Sequence, residues 1–192
     1  CSVTLREIAK SGQSFGSSIS FNCSEIGSQT VDLRVTDQSG NSATCTATVT
    51  VADSLPPALT CPASMTVNTS SNGQYDCKGN ASWTVPVADE NCTLDRYEVT
   101  VTGATNYGTS DVSNDQGQQV TYSLNEGVTT FTYEAEDAEG NSSSCSFTVT
   151  VVDDQDPQIS CASDVTVNTS SDGNTSDCAY TVNGSEFDPT SS

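Results

Sequence analysis

The chain has 192 residues, enough for about two small domains, and only 33% of them are aliphatic, aromatic or Cys. Its formal net charge is −20, from 25 acidic residues against five basic ones. That balance excludes nucleic acid, whose phosphates call for Lys and Arg, and disfavours an anionic membrane surface; nor does any apolar run approach membrane-spanning length. Metal cations are the natural counter-charge, although acidity also serves simply to keep an exposed protein soluble. Nine Cys offset the thin apolar content, because cross-links restrict the unfolded chain. Cysteines at repeated spacings in a Ser/Thr-rich chain point to an oxidising compartment, extracellular or at the cell surface.

Taken in chain order, the segments alternate with period two. Val31, Leu33 and Val35 share one strand face. After the turn Ser39-Gly40-Asn41 comes a Thr/Val run ending at Val51, then a short Pro-containing linker over 51–57. A turn at Asn72-Gly73 precedes a run in which Trp83, Val85 and Val87 alternate. Phe131, Tyr133 and Ala135 form the next face, Glu139-Gly140-Asn141 the next turn, and Phe147, Val149 and Val151 the face after it. A second stiff linker covers 152–157, and Asp172-Gly173 marks a last turn. Val, Thr and aromatic residues in alternation, punctuated by Gly/Asn/Asp turns, predict half-buried antiparallel strands. No stretch has helical periodicity. Short strands over roughly 100 residues per module predict immunoglobulin-like β-sandwiches.

Two blocks recur one hundred residues apart. Thr36-Asp37-Gln38-Ser39-Gly40-Asn41-Ser42-Ala43-Thr44-Cys45 returns as Glu136-Asp137-Ala138-Glu139-Gly140-Asn141-Ser142-Ser143-Ser144-Cys145. Cys61 with Val67-Asn68-Thr69-Ser70-Ser71 returns as Cys161 with Val167-Asn168-Thr169-Ser170-Ser171. A fixed period means an array of similar modules. Cys1-Ser2-Val3-Thr4-Leu5 aligns with the start of Cys92-Thr93-Leu94-Asp95, so the chain ends cut across the repeat. The expectation is an all-β chain of tandem sandwiches, one complete and two complementary half-modules. Residues 1–53 supply later strands, 54–153 a complete module, and 154–192 first strands. Cys77 to Cys92 spans 15 positions, and Cys178 to the Cys1 of a copy placed directly after Ser192 also spans 15 (178 to 192, plus one). The expected partner is therefore another copy of the chain, placed head-to-tail in a filament, either as one long polypeptide or as separate chains that donate strands.

Asp-Pro-Gln-Ile-Ser-Cys at 156–161, Glu-Asn-Cys at 90–92, and the block from Gly127-Val128-Thr129-Thr130 through Asp137-Ala138-Glu139-Gly140-Asn141 to Cys145-Ser146-Phe147-Thr148-Val149 resemble the hyalin repeat (HYR) family. The resemblance covers nearly the whole chain. It implies immunoglobulin-like extracellular modules of adhesion and matrix proteins, usually in tandem, with no enzymatic activity. The first module departs from the second by carrying Cys23 where the second has a non-Cys stretch near Ser123.

Cys92 follows the Asp89-Glu90-Asn91 loop and Cys145 follows the Asp137 turn. In an immunoglobulin-like sandwich these loops lie at one pole, so Cys92–Cys145 is the first expectation and Cys61–Cys77 the remaining pair. Homology between the modules extends this to Cys1–Cys45 and Cys161–Cys178. Cys23 is left over, either as a buried thiol or as a substitute for Cys1 in bonding Cys45. With no His and no Cys-x-x-Cys pair, metal binding by cysteine is not expected.

The incoming linker and the same two loops should bring Asp53, Asp89, Glu90, Asp137 and Asn141 to one point. Converging carboxylate and amide oxygens would suit Ca²⁺, which takes six to eight oxygen ligands. The following junction would use Asp153, Asp154 and Asp156 with Asp37 and Asn41 of the next copy. The competing reading is a plain tight turn, since Asp-x-x-Gly-Asn is a good turn sequence. Among eight Asn-x-Ser/Thr sequons, Asn68 and Asn168 recur at one position of the repeat and are the expected glycosylation sites.

No His, no nucleophile with a base and no Gly-rich phosphate loop argue against catalysis, and no catalytic residue is assigned. The leading expectation is a structural unit of an extracellular filament or giant surface adhesin. The alternative is a carbohydrate- or protein-binding adhesion module contacting surface glycans or matrix, for which Tyr97 and Tyr107 are the candidate exposed aromatics.

Overall fold

The computed structural model describes residues 2–74, 76–156, 159–160 and 190–191. It divides into two compact units, Cys1–Val152 and Asp153–Ser192.

The first unit opens with a three-stranded antiparallel sheet of β1 (Val3–Lys10), β2 (Gly27–Asp37) and β3 (Ser42–Val51), in that order. A 3-10 turn, η1 (Cys23–Glu25), lies between β1 and β2. Asn22 caps it, accepting from the Ser24 amide, while Glu25 accepts from the Asn22 amide.

The rest of the unit is a sandwich. Five strands pair in the order β4 (Met65–Asn68), β10 (Ser142–Val152), β9 (Gly127–Asp137), β6 (Leu94–Gly103) and β7 (Gly108–Asp111). Opposite them, β5 (Lys78–Thr84) pairs with β8 (Gln119–Asn125). A second 3-10 turn, η2 (Thr69–Asn72), follows β4. All ladders are antiparallel except β4, which adds parallel to β10. That parallel strand departs from the antiparallel expectation. It arises because β4 follows the linker rather than a hairpin, so it is free to run alongside the last strand of its own module.

The alternation read from the sequence becomes the core. Phe131, Tyr133, Ala135, Phe147, Val149 and Val151 face inward from β9 and β10 and are buried with Tyr97, Val99 and Leu124. Trp83 sits among them, stacked on Tyr122 and edge-on to Phe131 and Phe147. Its indole Nε1 donates to the Tyr133 hydroxyl at 3.0 Å, so the one polar atom of the ring is satisfied. Trp83 and Val85 are buried as the alternation requires, but Val87 is 57% exposed. The strand ends at Thr84, before Pro86, so the period-two pattern no longer applies at Val87.

In the second unit, Ile159–Ser160 pairs antiparallel with Thr190–Ser191.

Candidate functional site

The β1–β2–β3 sheet repeats the β6–β9–β10 sheet in register. Leu33 lies opposite Cys45 and Val31 opposite Ala47, as Tyr133 lies opposite Cys145 and Phe131 opposite Phe147. Even the bulge is repeated, between Val3 and Leu5 in β1 and between Leu94 and Arg96 in β6. The surroundings of the two sheets differ. Tyr133 and Ala135 are 1% and 0% exposed beneath β5 and β8, whereas Leu33 and Val35 are 37% and 39% exposed. Cys45 is exposed on the same face. One end is covered: Lys10, opposite Val31, bonds Glu25 of η1 and lies over Phe21, and Val31 is buried.

The lid missing over Leu33 and Val35 has a local cause. In the sandwich, among the described residues, β8 has no hydrogen-bonded neighbour but β5. Residues 19–25, one period earlier than β8, have no such partner among the described residues. They form η1 instead, and the preceding loop closes on β1 through a bridge between Ile8 and Gly16. An isolated strand leaves its backbone groups unpaired, so the segment turns and caps itself.

The linker pole is the second feature. Asp137 caps its turn: its Oδ1 accepts from the Glu139 and Asn141 amides at 3.0 and 2.8 Å, and its Oδ2 from Asn141 Nδ2 at 2.7 Å. Gly140 takes φ 86°, open to glycine without strain. Burial pushes the Asp137 carboxyl up, but the hydrogen bonds from Asn141, Glu139 and Gly140 outweigh it and hold the group below the ordinary carboxylate range. Asp37 and Asn41 repeat the same turn, with the Asp37 carboxyl likewise lowered by Asn41. Asp53 enters this pole from the linker. Its Oδ2 accepts from Asn91 Nδ2 at 3.0 Å, and its backbone carbonyl from Asn141 Nδ2 at 3.3 Å.

Of the expected oxygen ligands, Asp53 and Asp137 come together, and Glu139 joins them, with one oxygen of each within 4.8 Å of the others. Glu139 escaped the sequence reading, although it stands inside the same turn. Asp89 and Glu90 are not in this group: Asp89 pairs its backbone with Ala58, and Glu90 accepts from the Cys92 amide. Glu90 Oε2 is a buried oxygen with no hydrogen-bond partner. Asp153, Asp154 and Asp156 belong to the second unit, and their meeting with another copy's Asp37 and Asn41 concerns two chains.

The disulfides differ from expectation. Cys61 bonds Cys145, with Cα atoms 5.7 Å apart, and Cys23 bonds Cys92, at 5.4 Å. Cys45 and Cys77 are free and exposed. A Cys92–Cys145 bond fails on register. Leu94 lies opposite Asp137 and Cys145 opposite Tyr133, four places further along β9, roughly 13 Å away. Disulfide Cα atoms approach within about 7 Å. A Cys61–Cys77 bond fails because β4 separates the two: Cys61 precedes its first residue, while Gly79 packs on Val67 and Asn68 at its last. The parallel entry of β4 is what carries Cys61 to Cys145. Cys23 is neither a buried thiol nor the partner of Cys45, and since Cys45 is free the expected Cys1–Cys45 bond is not formed. Cys1, Cys161, Cys178 and Asn168 lie outside the described residues. Asn68 is exposed at the end of β4.

The Cys23–Cys92 bond joins η1 to the loop before β6. A cleft of about 290 Å³ opens beside it, lined by Phe21, Ile26, Val51, Asp53, Leu55 and Asn91 among others. Of the two tyrosines considered for sugar stacking, Tyr97 is fully buried and donates to the Pro86 carbonyl. Tyr107 is 54% exposed.

The described residues thus hold a disulfide-braced β-sandwich and a three-stranded sheet that repeats the register of its β6–β9–β10 strands. The family whose sequence profile matches is the HYR domain, over residues 52–151. The chain belongs to the HYR domain family, an extracellular family of adhesion-type structural modules that are generally not enzymes. No curated protein matches it in sequence. Among solved structures, it is similar to the Clostridium thermocellum CbhA fibronectin(III)-like modules at 15% identity and a TM-score of 0.37, over 79% of each chain. No helix among the described residues is long and apolar enough to cross a membrane.

Proposed function

We propose that this chain is a structural repeat unit of an extracellular filament or giant surface adhesin, joined head-to-tail through complementary half-modules. The observation that carries the reading is the exposure of Leu33 and Val35 at positions where the repeat buries Tyr133 and Ala135. An apolar sheet face that the same sequence covers one period later marks a place for a missing layer. The natural layer is the stretch from Cys161 onward in another copy, because it repeats the stretch from Cys61 that opens the complete sandwich.

Charge opposes this contact, but less there than elsewhere on the chain. Residues 1–53 hold three of the five basic residues, Arg6, Lys10 and Arg34, against five acidic ones. Residues 154–192 hold seven acidic residues and no basic ones. Arg6 lies opposite Val35 on the uncovered face. Both segments are net acidic, so their contact needs screening by salt, and the three cations of residues 1–53 make that part the least repulsive receiver.

Ca²⁺ at the module junction completes the proposal. Asp53, Asp137 and Glu139 would hold it, supplying three carboxylates beside a turn already preset by Asn141. Its role would be to relieve carboxylate repulsion and stiffen the linker.

The test of the whole reading is electron microscopy and sedimentation of the full chain. The expected result is an unbranched filament or a ladder of open oligomers, reduced to monomer by Leu33→Glu. A chain that stays monomeric at high concentration in both forms would remove it.

A further inference from the structure

We infer that the units are joined covalently, by a disulfide between Cys45 of one copy and Cys161 of another; this rests on the half-module reading above. Cys45 is a free, exposed thiol on the uncovered face. Its equivalent one period later, Cys145, is bonded to Cys61. The equivalent of Cys61 one period later is Cys161. The one bond of the complete sandwich that ties its first segment to its last strand thus has both of its partners present in the chain a second time.

Backbone pairing makes the same point independently. In the complete module β4 adds parallel to β10, with Val149 opposite Met65, Thr150 opposite Thr66 and Val151 opposite Val67. Among the described residues the corresponding strand of the first sheet, β3, pairs with β2 alone. The sequence that would add to it is Val165-Thr166-Val167-Asn168, which repeats Met65-Thr66-Val67-Asn68 four residues after its cysteine, as the original does. For a segment adding to β3 as β4 adds to β10, Val49, Thr50 and Val51 would take the places of Val149, Thr150 and Val151. The proposed bond is the counterpart of Cys61–Cys145 in that arrangement. Strand addition at an open edge supplies main-chain hydrogen bonds, and the alternate valines enter the sheet face.

The bond forms by thiol–disulfide exchange with a small disulfide oxidant. The Cys45 thiolate attacks the oxidant, releasing one thiol and leaving a mixed disulfide. The Cys161 thiolate then displaces the second thiol, leaving the Cys45–Cys161 bond. Two protein thiols are oxidised and one oxidant disulfide is reduced to two thiols.

The experiment uses the full chain, mixed as equal parts unlabelled and ¹⁵N-labelled protein and assembled in oxidised glutathione. Gels run without reductant should show a ladder that collapses to one band with reductant. Mass spectrometry should find peptides joining Cys45 to Cys161 across the two labels. Cys45→Ser and Cys161→Ser should each abolish the ladder, and Cys77→Ser should leave it. Fluorescence of Trp83, the single tryptophan, reports on the middle sandwich and should be unchanged in Cys45→Ser. Copies that associate but carry Cys45 bonded elsewhere, or to Cys161 only within one label, would overturn the disulfide and leave the head-to-tail reading intact. Copies that do not associate would overturn both.

Discussion

At the residue scale, two side-chain arrangements carry testable weight. Trp83 is enclosed by aromatic rings, and its only polar atom is held by Tyr133. Tyr133→Phe removes the acceptor and leaves a buried N–H unpaired, a loss of about 1–3 kcal/mol. Trp83→Ala should remove about 3–5 kcal/mol. Urea unfolding followed by circular dichroism measures both. Asp137 makes the pH dependence. Its carboxyl is held below the ordinary range in the folded state, so its stabilisation is complete above that range and is lost as pH falls through the lower native value. Asp137→Asn should flatten the acid limb of the urea midpoint between neutral pH and strong acid. An unaltered acid limb in that variant would count against the turn as its source. The Asp-x-x-Gly-Asn turn was legible in the sequence because a turn is local: a carboxylate, a glycine and an amide within five residues suffice. The disulfide partners were not legible, because pairing depends on how far apart cysteines stand along neighbouring strands.

At the element scale, the decisive contrast is between β9 and β2. Both read as apolar alternation, and both form the centre of a sheet. Among the described residues β9 is covered on its inner face, where β5 pairs with β8, and β2 is not. Leu33→Glu should therefore leave the stability of the middle sandwich within about 0.5 kcal/mol of the parent, as an exposed surface substitution does. Tyr133→Glu at the equivalent position buries a charge and should unfold that sandwich. Thermal melts of the two variants separate the cases, and similar losses in both would deny that the first face is open. Removing the Cys61–Cys145 bond should lower stability by about 2–4 kcal/mol, because it ties two segments 84 residues apart.

At the scale of the whole molecule, a net charge of −20 opposes any contact between copies. Head-to-tail association should strengthen as NaCl rises from 20 to about 300 mM, since the Debye length then falls below about 10 Å. Millimolar Ca²⁺ should act beyond its ionic strength, raising the melting temperature of the parent more than that of Glu139→Gln. Equal shifts by Ca²⁺ and Mg²⁺ at matched ionic strength in both proteins would leave only screening. Analytical ultracentrifugation across the salt series checks the first point and scanning calorimetry the second.

The amino-acid sequence by itself determined the β class, the hundred-residue period, the turns and most of the inner faces, since period-two alternation and glycine-bearing turns are written locally. It also pointed to the HYR family. Tertiary structure alone decided which face is covered, that β4 enters parallel, and which cysteines meet. Those outcomes depend on strand order and register, where a shift of four residues moves a sulfur by about 13 Å and no local pattern records the neighbour across the sheet.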